Sequence, residues 1–289
     1  MTINKRSYQL LGLLVIVWGS SFLLIDRSLL FFSPEQVVGY RLVIGAITML
    51  AIALYYGKSL PRKITPWLHF FIYAVIGNML PYLLIATGQL TITSGMAGLL
   101  MAFMPLVTLV LAHIFLPNDK LNRFKIIGFV IGISGVLFIL GPSINNGNNT
   151  FFGILLVLGA ACAYAINTII ASRLPPYDPI VSSAAVLLVA SLLSFCIWPG
   201  FFFINLSSVP LISGISLILL GALPTGVAAL LYFTIINSAG ATFLSNINYL
   251  IPVVAFFLGA LLLGEDILLQ NILALLLIIT GIFISRFRI

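Results

Sequence analysis

Polar side chains recur in pairs inside strongly apolar stretches of this sequence, at spacings that place both members of a pair on one helix face. The pairs lie three, four or seven residues apart, and they are Asn78 with Tyr82, Tyr164 with Asn167, Thr225 with Tyr232, and Asn246 with Tyr249. Residues at such spacings share one side of an α-helix. If these faces converge with Trp18, the amides and rings would line a binding site for a small neutral or zwitterionic solute. The other interpretation, bonding between neighbouring helices, stays open for each residue.

Arg41 is a basic residue inside an apolar stretch, about six residues after Glu35 and therefore roughly 9 Å farther along a helix. A charge at such depth is costly, so it needs a partner or a route to water. Two interpretations are open. Arg41 is either a cationic group that binds a carboxylate or phosphate, or a structural side chain that snorkels outward or bonds carbonyls at a helix end.

Four prolines also fall inside apolar runs, and they are Pro81, Pro105, Pro224 and Pro252. Each removes one backbone hydrogen bond and can kink its helix. Kinked or broken helices near the middle of a membrane expose backbone polar groups to a substrate. A purely structural role is the alternative for each proline.

The elements that position these residues follow from composition. Hydrophobic residues make up 62% of the chain and charged residues 7%, whereas a soluble domain carries about 25% charged residues. We therefore predict an integral membrane protein. A helical span needs roughly 20 mostly apolar residues, and ten such runs are present, at about 7–25, 35–56, 66–88, 93–116, 123–140, 151–172, 179–204, 209–236, 239–263 and 268–285. The runs lack the alternation of membrane strands, so the predicted fold is all-α with ten spans, and the longest polar gap, 141–150, leaves no soluble domain.

Basic residues are distributed unevenly over the loops that join these spans. With the N-terminus inside, eleven of them share one side, namely Lys5, Arg6, Lys58, Arg62, Lys63, Lys120, Arg123, Lys125, Arg173, Arg286 and Arg288. The loops of the opposite side hold only Arg27. Cytoplasmic loops are enriched in Lys and Arg, so we expect both termini to be cytoplasmic. The net charge of +7 thus reflects membrane topology, and no nucleic-acid partner is expected.

The chain nearly repeats itself at an offset of 147 residues. This offset places Pro105 on Pro252, and likewise Thr87 on Thr234, Asp119 on Asp266 and Leu121 on Leu268. The predicted repeats, 1–144 and 145–289, hold five spans each, so the second must insert upside down. Inverted repeats are typical of secondary transporters. We expect alternating access, by rocking or gating of the two five-helix halves around a central cavity, and the alternative is a duplication kept for packing alone.

Several motifs resemble the drug/metabolite transporter superfamily, EamA type. Trp18-Gly-Ser-Ser-Phe22 resembles its W-G-S/T-N/S-F signature, and Glu35–Arg41 resembles the stretch that opens its second span. Ala228–Tyr232 with Asn246–Pro252 resembles its eighth and ninth spans, and Leu263-Gly-Glu265 its "LGE" turn. The resemblance covers essentially the whole chain. It implies ten spans, alternating access and a small organic solute that is often exported, in a bacterial inner membrane.

Two positions depart from that pattern. The first-half counterpart of the "LGE" turn reads Leu116-Pro-Asn-Asp119, without the glutamate, and Tyr164 stands where the family often has tryptophan. The family usually has arginine at the position of Arg41 whatever the substrate, which favours its structural interpretation. The resemblance does not name the solute, so a multidrug or cationic-compound exporter and a lipid-precursor exporter stay open beside a neutral or zwitterionic metabolite such as an amino acid.

Other classes of protein fit the sequence poorly. A membrane-embedded enzyme needs clustered catalytic or metal-binding side chains, but the two histidines, His69 and His113, are far apart, and neither HExxH nor GxSxG occurs. No catalytic residue, metal or cofactor is therefore expected. A channel would show rings of charge or a carbonyl filter. His113 is the only deep candidate for proton coupling, and because a structural role is favoured for it, we predict uniport or exchange.

Small residues indicate how the helices pack. Gly95 with Gly98, and Gly128 with Gly132, are spaced for close helix contact. The second pair could also join two copies of the chain. We therefore expect a monomer or a weak homodimer, with membrane lipid and a small-molecule substrate as partners.

Overall fold

The computed structural model describes residues 5–116, 121–145, 148–202, 204–239, 243, 247–285 and 287. Within these ranges the chain is helical and contains no strand. The main helices are α1 (Lys5–Leu29), α2 (Pro34–Tyr55), α3 (Ile64–Gly88), α4 (Ser94–Phe115), α5 (Arg123–Asn145), α6 (Asn148–Arg173), α7 (Pro179–Ile197), α8 (Leu211–Leu220, Gly221–Val227 and Ala228–Ala239), α9 (Ile247–Leu263) and α10 (Leu269–Ile284). The predicted site residue Asn246 lies outside the described residues, as do Asp119, Lys120, Arg286 and Arg288.

The lengths of the helices suit a membrane. Eight of the described helices, α1 to α8, contain a stretch long and apolar enough to cross one, and α9 and α10 are shorter apolar helices. The predicted seventh run was too long, because α7 ends at Ile197 before Pro199, whose missing N–H cannot continue the helix. The polar gap predicted at 141–150 is largely helical, since α5 continues to Asn145 and α6 begins at Asn148.

Two helices are interrupted by π-helical segments at equivalent places in the two halves. The segment of α3 is Val75–Met79, just before Pro81, and that of α8 is Gly221–Val227, which contains Pro224. Shifted by 147 residues, 75–79 becomes 222–226, which lies inside the segment of α8. A proline ring crowds the preceding turn and removes an N–H, so the winding of that turn changes.

The other two prolines behave differently. Pro105 follows a short 3₁₀ segment, Met101–Phe103, inside α4. Pro252 lies within a regular α-helical stretch of α9, and the π-helical segment of that helix, Gly259–Leu263, comes at its end. Non-α winding therefore accompanies three of the four prolines that were predicted to kink helices.

Apart from the contact between α5 and α10, which is the largest, the most extensive helix contacts trace a closed ring of eight helices. α2 packs on α7, α7 on α3, α3 on α6, α6 on α4, α4 on α9, α9 on α1, α1 on α8, and α8 on α2. Exchanging each helix for its equivalent in the other half (α1 with α6, α2 with α7, α3 with α8, α4 with α9) maps this ring onto itself. α5 and α10, also equivalent, pack on each other beside α4 and α9.

This ring interleaves the two halves of the sequence. Each of its eight contacts joins a first-half helix to a second-half helix, so the halves do not form separate bodies. The expectation that the two five-helix halves move against each other stays a prediction, and the interleaving shows that other divisions of the ring are also open. Two contacts of the ring, α2 with α7 and α4 with α9, join equivalent helices and therefore map onto themselves; we call them the symmetric contacts. Dividing the ring at these two contacts gives half-ring A (α3, α4, α6, α7) and half-ring B (α1, α2, α8, α9).

Glycines allow the closest of these contacts. A Cβ atom on Gly281 of α10 would lie 2.4 Å from the carbonyl oxygen of Gly128 and 2.5 Å from the nitrogen of Gly132. A Cβ on Gly98 of α4 would lie 2.2 Å from that of Ala255 on α9. The close-packing prediction is confirmed for these glycines. Because the face with Gly128 and Gly132 is covered by the chain's own last helix, it is not free to join a second copy.

Candidate functional site

Arg41 is buried in the protein and does not snorkel. Its side chain is 4% exposed, and its Nε donates a hydrogen bond of 3.1 Å to Oγ1 of Thr225. Neither structural interpretation made from the sequence, a route to the membrane surface or bonds to helix-end carbonyls, describes this arrangement. The contact joins α2 to the π-helical segment of α8.

The guanidinium of Arg41 also stacks on an aromatic ring. Its Cζ lies 3.6 Å from the centroid of the Tyr82 ring on α3. A cation over a ring at this distance is stabilised by up to about 2 kcal/mol when both are out of water. Since Arg41 belongs to half-ring B and Tyr82 to half-ring A, this contact crosses between the two half-rings.

No carboxylate neutralises Arg41 within the described part of the chain. The single ion pair there is Lys58 with Asp178, and the hydrogen bond from Nε to Thr225 is the one that Arg41 makes. The two Nη groups of Arg41 are thus left without a protein acceptor among the described residues. A buried charge with neutral partners only is costly, which makes Arg41 a candidate for the functional site.

Thr225 occupies a position that has an equivalent in the first half. Its Oγ1 donates to the carbonyl oxygen of Leu220, five residues back, at 2.9 Å. At the equivalent position, Nδ2 of Asn78 donates to the carbonyl oxygen of Tyr73, also five residues back, at 3.0 Å. Each side chain therefore satisfies a carbonyl at the start of a π-helical segment. The Nδ2 group of Asn78 is used in this bond, whereas the hydroxyl of Thr225 still accepts from Arg41.

α6 brings Tyr164 and Asn167 to the same region. Tyr164 and Tyr82 pack against the same core cluster, where α6 lies along α3. Asn167 packs against Gly77 of the α3 π-helical segment, where a Cβ atom would lie 2.7 Å from the amide carbon. Its Oδ1 is buried and has no hydrogen-bond partner among the described residues. Gly77 was not predicted as a site residue from the sequence. The offset of 147 residues pairs it with Pro224 and could have indicated it.

Trp18 and Tyr232 complete the cluster on the side of half-ring B. Nε1 of Trp18 donates a 3.1 Å hydrogen bond to the carbonyl oxygen of Pro224, in the α8 π-helical segment. The rings of Trp18 and Tyr232 are 5.7 Å apart between centroids. We call Trp18, Arg41, Tyr82, Tyr164, Asn167, Thr225 and Tyr232 the central cluster.

Other predicted site residues are engaged elsewhere. The hydroxyl of Tyr249 donates to the carbonyl oxygen of Ile282 on α10, at 3.2 Å, so it bonds two helices together. His113, the candidate for proton coupling, accepts a hydrogen bond from the backbone N–H of Leu121 at the end of α4. That contact agrees with the structural role favoured for this histidine.

Glu265 closes one end of the contact between α4 and α9. Its two carboxylate oxygens accept from the backbone N–H groups of Ser94 and Gly95, at 2.7 and 2.8 Å. These are the first residues of α4, where unpaired N–H groups attract negative charge. A cavity of about 310 Å³ opens beside them, lined by Asp26, Gln89 and Thr93 among others. The sequence signal for this contact was the "LGE" turn.

An ion pair closes the contact between α2 and α7. Nζ of Lys58 lies 2.7 Å from Oδ2 of Asp178, while Oδ1 accepts from the backbone N–H groups of Ile180 and Val181 and so caps α7. The hydrogen bond from Lys58, followed by those from the backbone, lowers the pKa of Asp178 below its ordinary value. Each symmetric contact of the ring is thus stabilised by polar bonds near a helix end. Glu265 provides them between α4 and α9, and Lys58 with Asp178 provides them between α2 and α7.

Comparisons with known proteins find similarity to transporters over most of the chain. The sequence pattern of the EamA-like transporter family matches residues 6–141 and again residues 151–287. An "Uncharacterized transporter" of Archaeoglobus fulgidus is 28% identical over 280 residues, which cover 96% of this chain and 98% of that protein. The "Uncharacterized inner membrane transporter YedA" of Escherichia coli K12 is 27% identical over 268 residues, covering 88% and 82%. A solved crystal structure at 19% identity superposes with a TM-score of 0.69, covers 98% of this chain and 97% of that one, and shows a shared fold.

Proposed function

Because the chain belongs to the EamA-like transporter family, we propose that it moves a small neutral or zwitterionic metabolite, such as an amino acid, by alternating access. The protein is a membrane transporter and not an enzyme. We further propose ten spans in two inverted repeats, 1–144 and 145–289, with both termini cytoplasmic in a bacterial inner membrane. Export or exchange is the proposed direction of transport.

The symmetry of the helix contacts supports the inverted repeat. Every contact of the eight-helix ring has its equivalent under exchange of the halves, and the two π-helical segments fall at equivalent positions. Such symmetry gives a carrier two related ways of opening, one toward each side of the membrane. We propose that half-rings A and B rock against each other, parting at the Glu265 end in one state and at the Lys58 end in the other.

The contact between Arg41 and Tyr82 is the observation that carries this proposal. It lies between the two half-rings, and it holds a buried cation that has no counter-ion among the described residues. A solute bound there would touch both moving bodies. Aromatic rings and polar groups around it, from Trp18, Tyr164 and Asn167, suit a solute with both apolar and polar parts.

Two other substrate classes, cationic drugs and lipid precursors, fit the central cluster less well. Burial of the Arg41 charge makes the cluster unfavourable for a cationic drug, because like charges repel strongly out of water. A lipid precursor would need a lateral opening between helices. The neutral or zwitterionic metabolite is therefore the proposal we favour, and the other two become outcomes of its test.

Counterflow into proteoliposomes tests the function. Vesicles with the purified protein are loaded in turn with amino acids, nucleosides, vitamins, polyamines, cationic drugs or short-chain lipids, and uptake of the same labelled compound is followed. We expect uptake of one neutral or zwitterionic class, lost in Tyr164→Ala and kept in Tyr55→Ala, which changes an exposed tyrosine at the end of α2. Uptake of cations or lipids alone would replace the substrate class. Folded wild-type protein that exchanges none of these compounds would overturn the function.

A further inference from the structure

We propose that Arg41 binds a carboxylate of the transported solute through its two Nη groups, so that a carboxylate is required for recognition. This inference rests on the proposed function and deepens it. It concerns the chemistry of the substrate at the central cluster.

The charge of Arg41 is not balanced by an acidic side chain among the described residues. Arg41 is 4% exposed, and its partners, the Thr225 hydroxyl and the Tyr82 ring, are both neutral. An arginine side chain always carries its charge in proteins. Within the described residues no acidic side chain reaches it. A solute anion is the group that would neutralise it during transport.

Two contacts also fix the orientation of the Arg41 guanidinium. Nε is occupied by Thr225, and one face of the guanidinium lies on Tyr82. These two contacts fix the plane of the guanidinium while leaving both Nη groups without an acceptor among the described residues. A guanidinium held in this way can offer parallel N–H groups to the two oxygens of a carboxylate. A phosphate dianion would call for a second cation, and Arg41 is the one basic residue of the central cluster.

Half-ring A carries a hydrogen-bond acceptor that has no partner among the described residues. The Oδ1 atom of Asn167 is buried without a hydrogen-bond partner among the described residues, three residues from Tyr164 on the same helix. A buried acceptor left unpaired is costly. A donor on the same solute, such as an ammonium or hydroxyl group, would satisfy it. A small carboxylic acid that also carries a hydrogen-bond donor therefore offers a group of the right kind to Arg41 and another to an acceptor on half-ring A.

Matched ligands test the inference on the wild-type protein. Amino acids, hydroxy acids and their carboxamides are compared for binding by thermal stabilisation and for counterflow in proteoliposomes. We expect the best acid to bind at least about 30-fold more tightly than its carboxamide, because a buried charge pair is lost in the amide. Equal binding of an acid and its carboxamide would overturn the inference. This comparison needs no variant, so it remains decisive if Arg41 variants do not fold.

Substitutions of Arg41 then test whether this residue causes the preference for the acid over its carboxamide. Arg41→Gln should reduce the preference for the acid to about threefold or less, and Arg41→Lys should keep part of it. Arg27→Gln is the matched control, since Arg27 lies at the end of α1 and donates to a backbone carbonyl; it should keep the full preference. A folded Arg41→Gln protein with undiminished preference would contradict the assignment.

The result also separates this inference from the function on which it rests. Exchange of carboxamides, amines or neutral solutes as readily as acids would leave the transporter intact and remove the carboxylate requirement. Exchange of no compound of any class would overturn both.

Discussion

The hydrogen bond from Nε of Arg41 to Oγ1 of Thr225, 3.1 Å long, ties α2 to the π-helical segment of α8. Thr225 can accept this bond because its own hydroxyl hydrogen is directed to the carbonyl oxygen of Leu220. The π-helical winding and the placement of the buried charge are thus one structural unit. Changes to the hydroxyl should consequently affect both stability and recognition.

Thr225→Val should destabilise the protein more than Thr225→Ser. Valine keeps the shape of threonine and the methyl contact with Gly45 but removes the hydroxyl. A hydrogen bond to a charged group contributes about 1.5–3 kcal/mol, so we expect a lower melting temperature for the valine variant in detergent. Serine, which keeps the hydroxyl, is the control. Equal melting temperatures for the valine variant and wild type would show that this hydrogen bond contributes nothing measurable.

Glu265→Gln should weaken the fastening between α4 and α9. The carboxylate accepts two backbone N–H bonds, and Gly95 and Gly259 make room for it, since a Cβ on either would lie within 2.8 Å of its Oε2 atom. An amide keeps one acceptor oxygen and loses the charge. We expect a loss of about 1–3 kcal/mol in stability, read as a lower melting temperature.

Asp266→Asn is the matched control for that substitution. Asp266 is the next residue along the chain, is exposed, and makes no side-chain hydrogen bond to the described residues. It should melt like the wild type. If both variants lose the same stability, the effect arises from the loss of loop charge and not from the bonds to Ser94 and Gly95.

The ion pair between Lys58 and Asp178 should give a small pH-dependent contribution to stability. The pKa of Asp178 is lowered in the folded protein, so its contribution is present above the ordinary pKa of about 3.9 and is lost as the pH falls through the folded value. Both side chains are more than a third exposed, which limits the contribution to about 0.2–1 kcal/mol.

A double-mutant cycle measures this pair. Asp178→Asn keeps the cap on α7, because asparagine is an equally good capping residue, and Lys58→Met removes the other charge. The coupling between the two should appear in melting temperatures at pH 7 and be smaller at pH 3, which lies below the ordinary pKa of an aspartate. A coupling of the same size at both pH values would exclude the ionised carboxylate as its source.

Gly281→Ala should disrupt the packing of α5 on α10 without changing the oligomeric state of the protein. The added Cβ would lie 2.4 Å from the Gly128 carbonyl, a contact that backbone atoms cannot relieve without shifting. A loss of about 1–3 kcal/mol is expected from overpacking. Gly12→Ala is the control, since nothing lies within 4 Å of a Cβ there. A change in molecular mass on light scattering for Gly281→Ala would instead indicate that this face joins two copies.

Much of the fold follows from the sequence because the membrane restricts the answer. Lipid offers no partners to backbone groups, so long apolar runs must be helices, and the predicted runs lie close to the observed helices. The end of α7 and the helical residues of the 141–150 gap were misjudged, because apolar composition marks the part of a helix in lipid and not where its hydrogen bonds stop. The interleaving of the halves was missed, since an offset in sequence does not determine which helices touch.

The central cluster could be predicted in part. Spacing placed Tyr164 on one helix face with Asn167 and drew attention to Thr225, which the structure joins to Arg41 by a hydrogen bond. Asn78 and Tyr249 were not separable from them by spacing alone, because whether a polar group bonds its own helix, a neighbour or a solute depends on tertiary contacts. The burial of Arg41 and the close approach of Asn167 to Gly77 likewise need the packed structure.

The most direct test of the account is whether closing one end of the ring opens the other. Lys58→Cys and Asp178→Cys are crosslinked in a protein whose native Cys162 and Cys196 are replaced by alanine, and Ser94→Cys reports on the far end. Ser94 is fully buried beside Glu265, and its Oγ has no partner among the described residues, so the exchange for cysteine is mild. If half-rings A and B alternate in this way, the crosslink should speed the reaction of the cysteine at position 94 with a water-soluble maleimide by several-fold. An unchanged or slower reaction would contradict alternating access by the two half-rings.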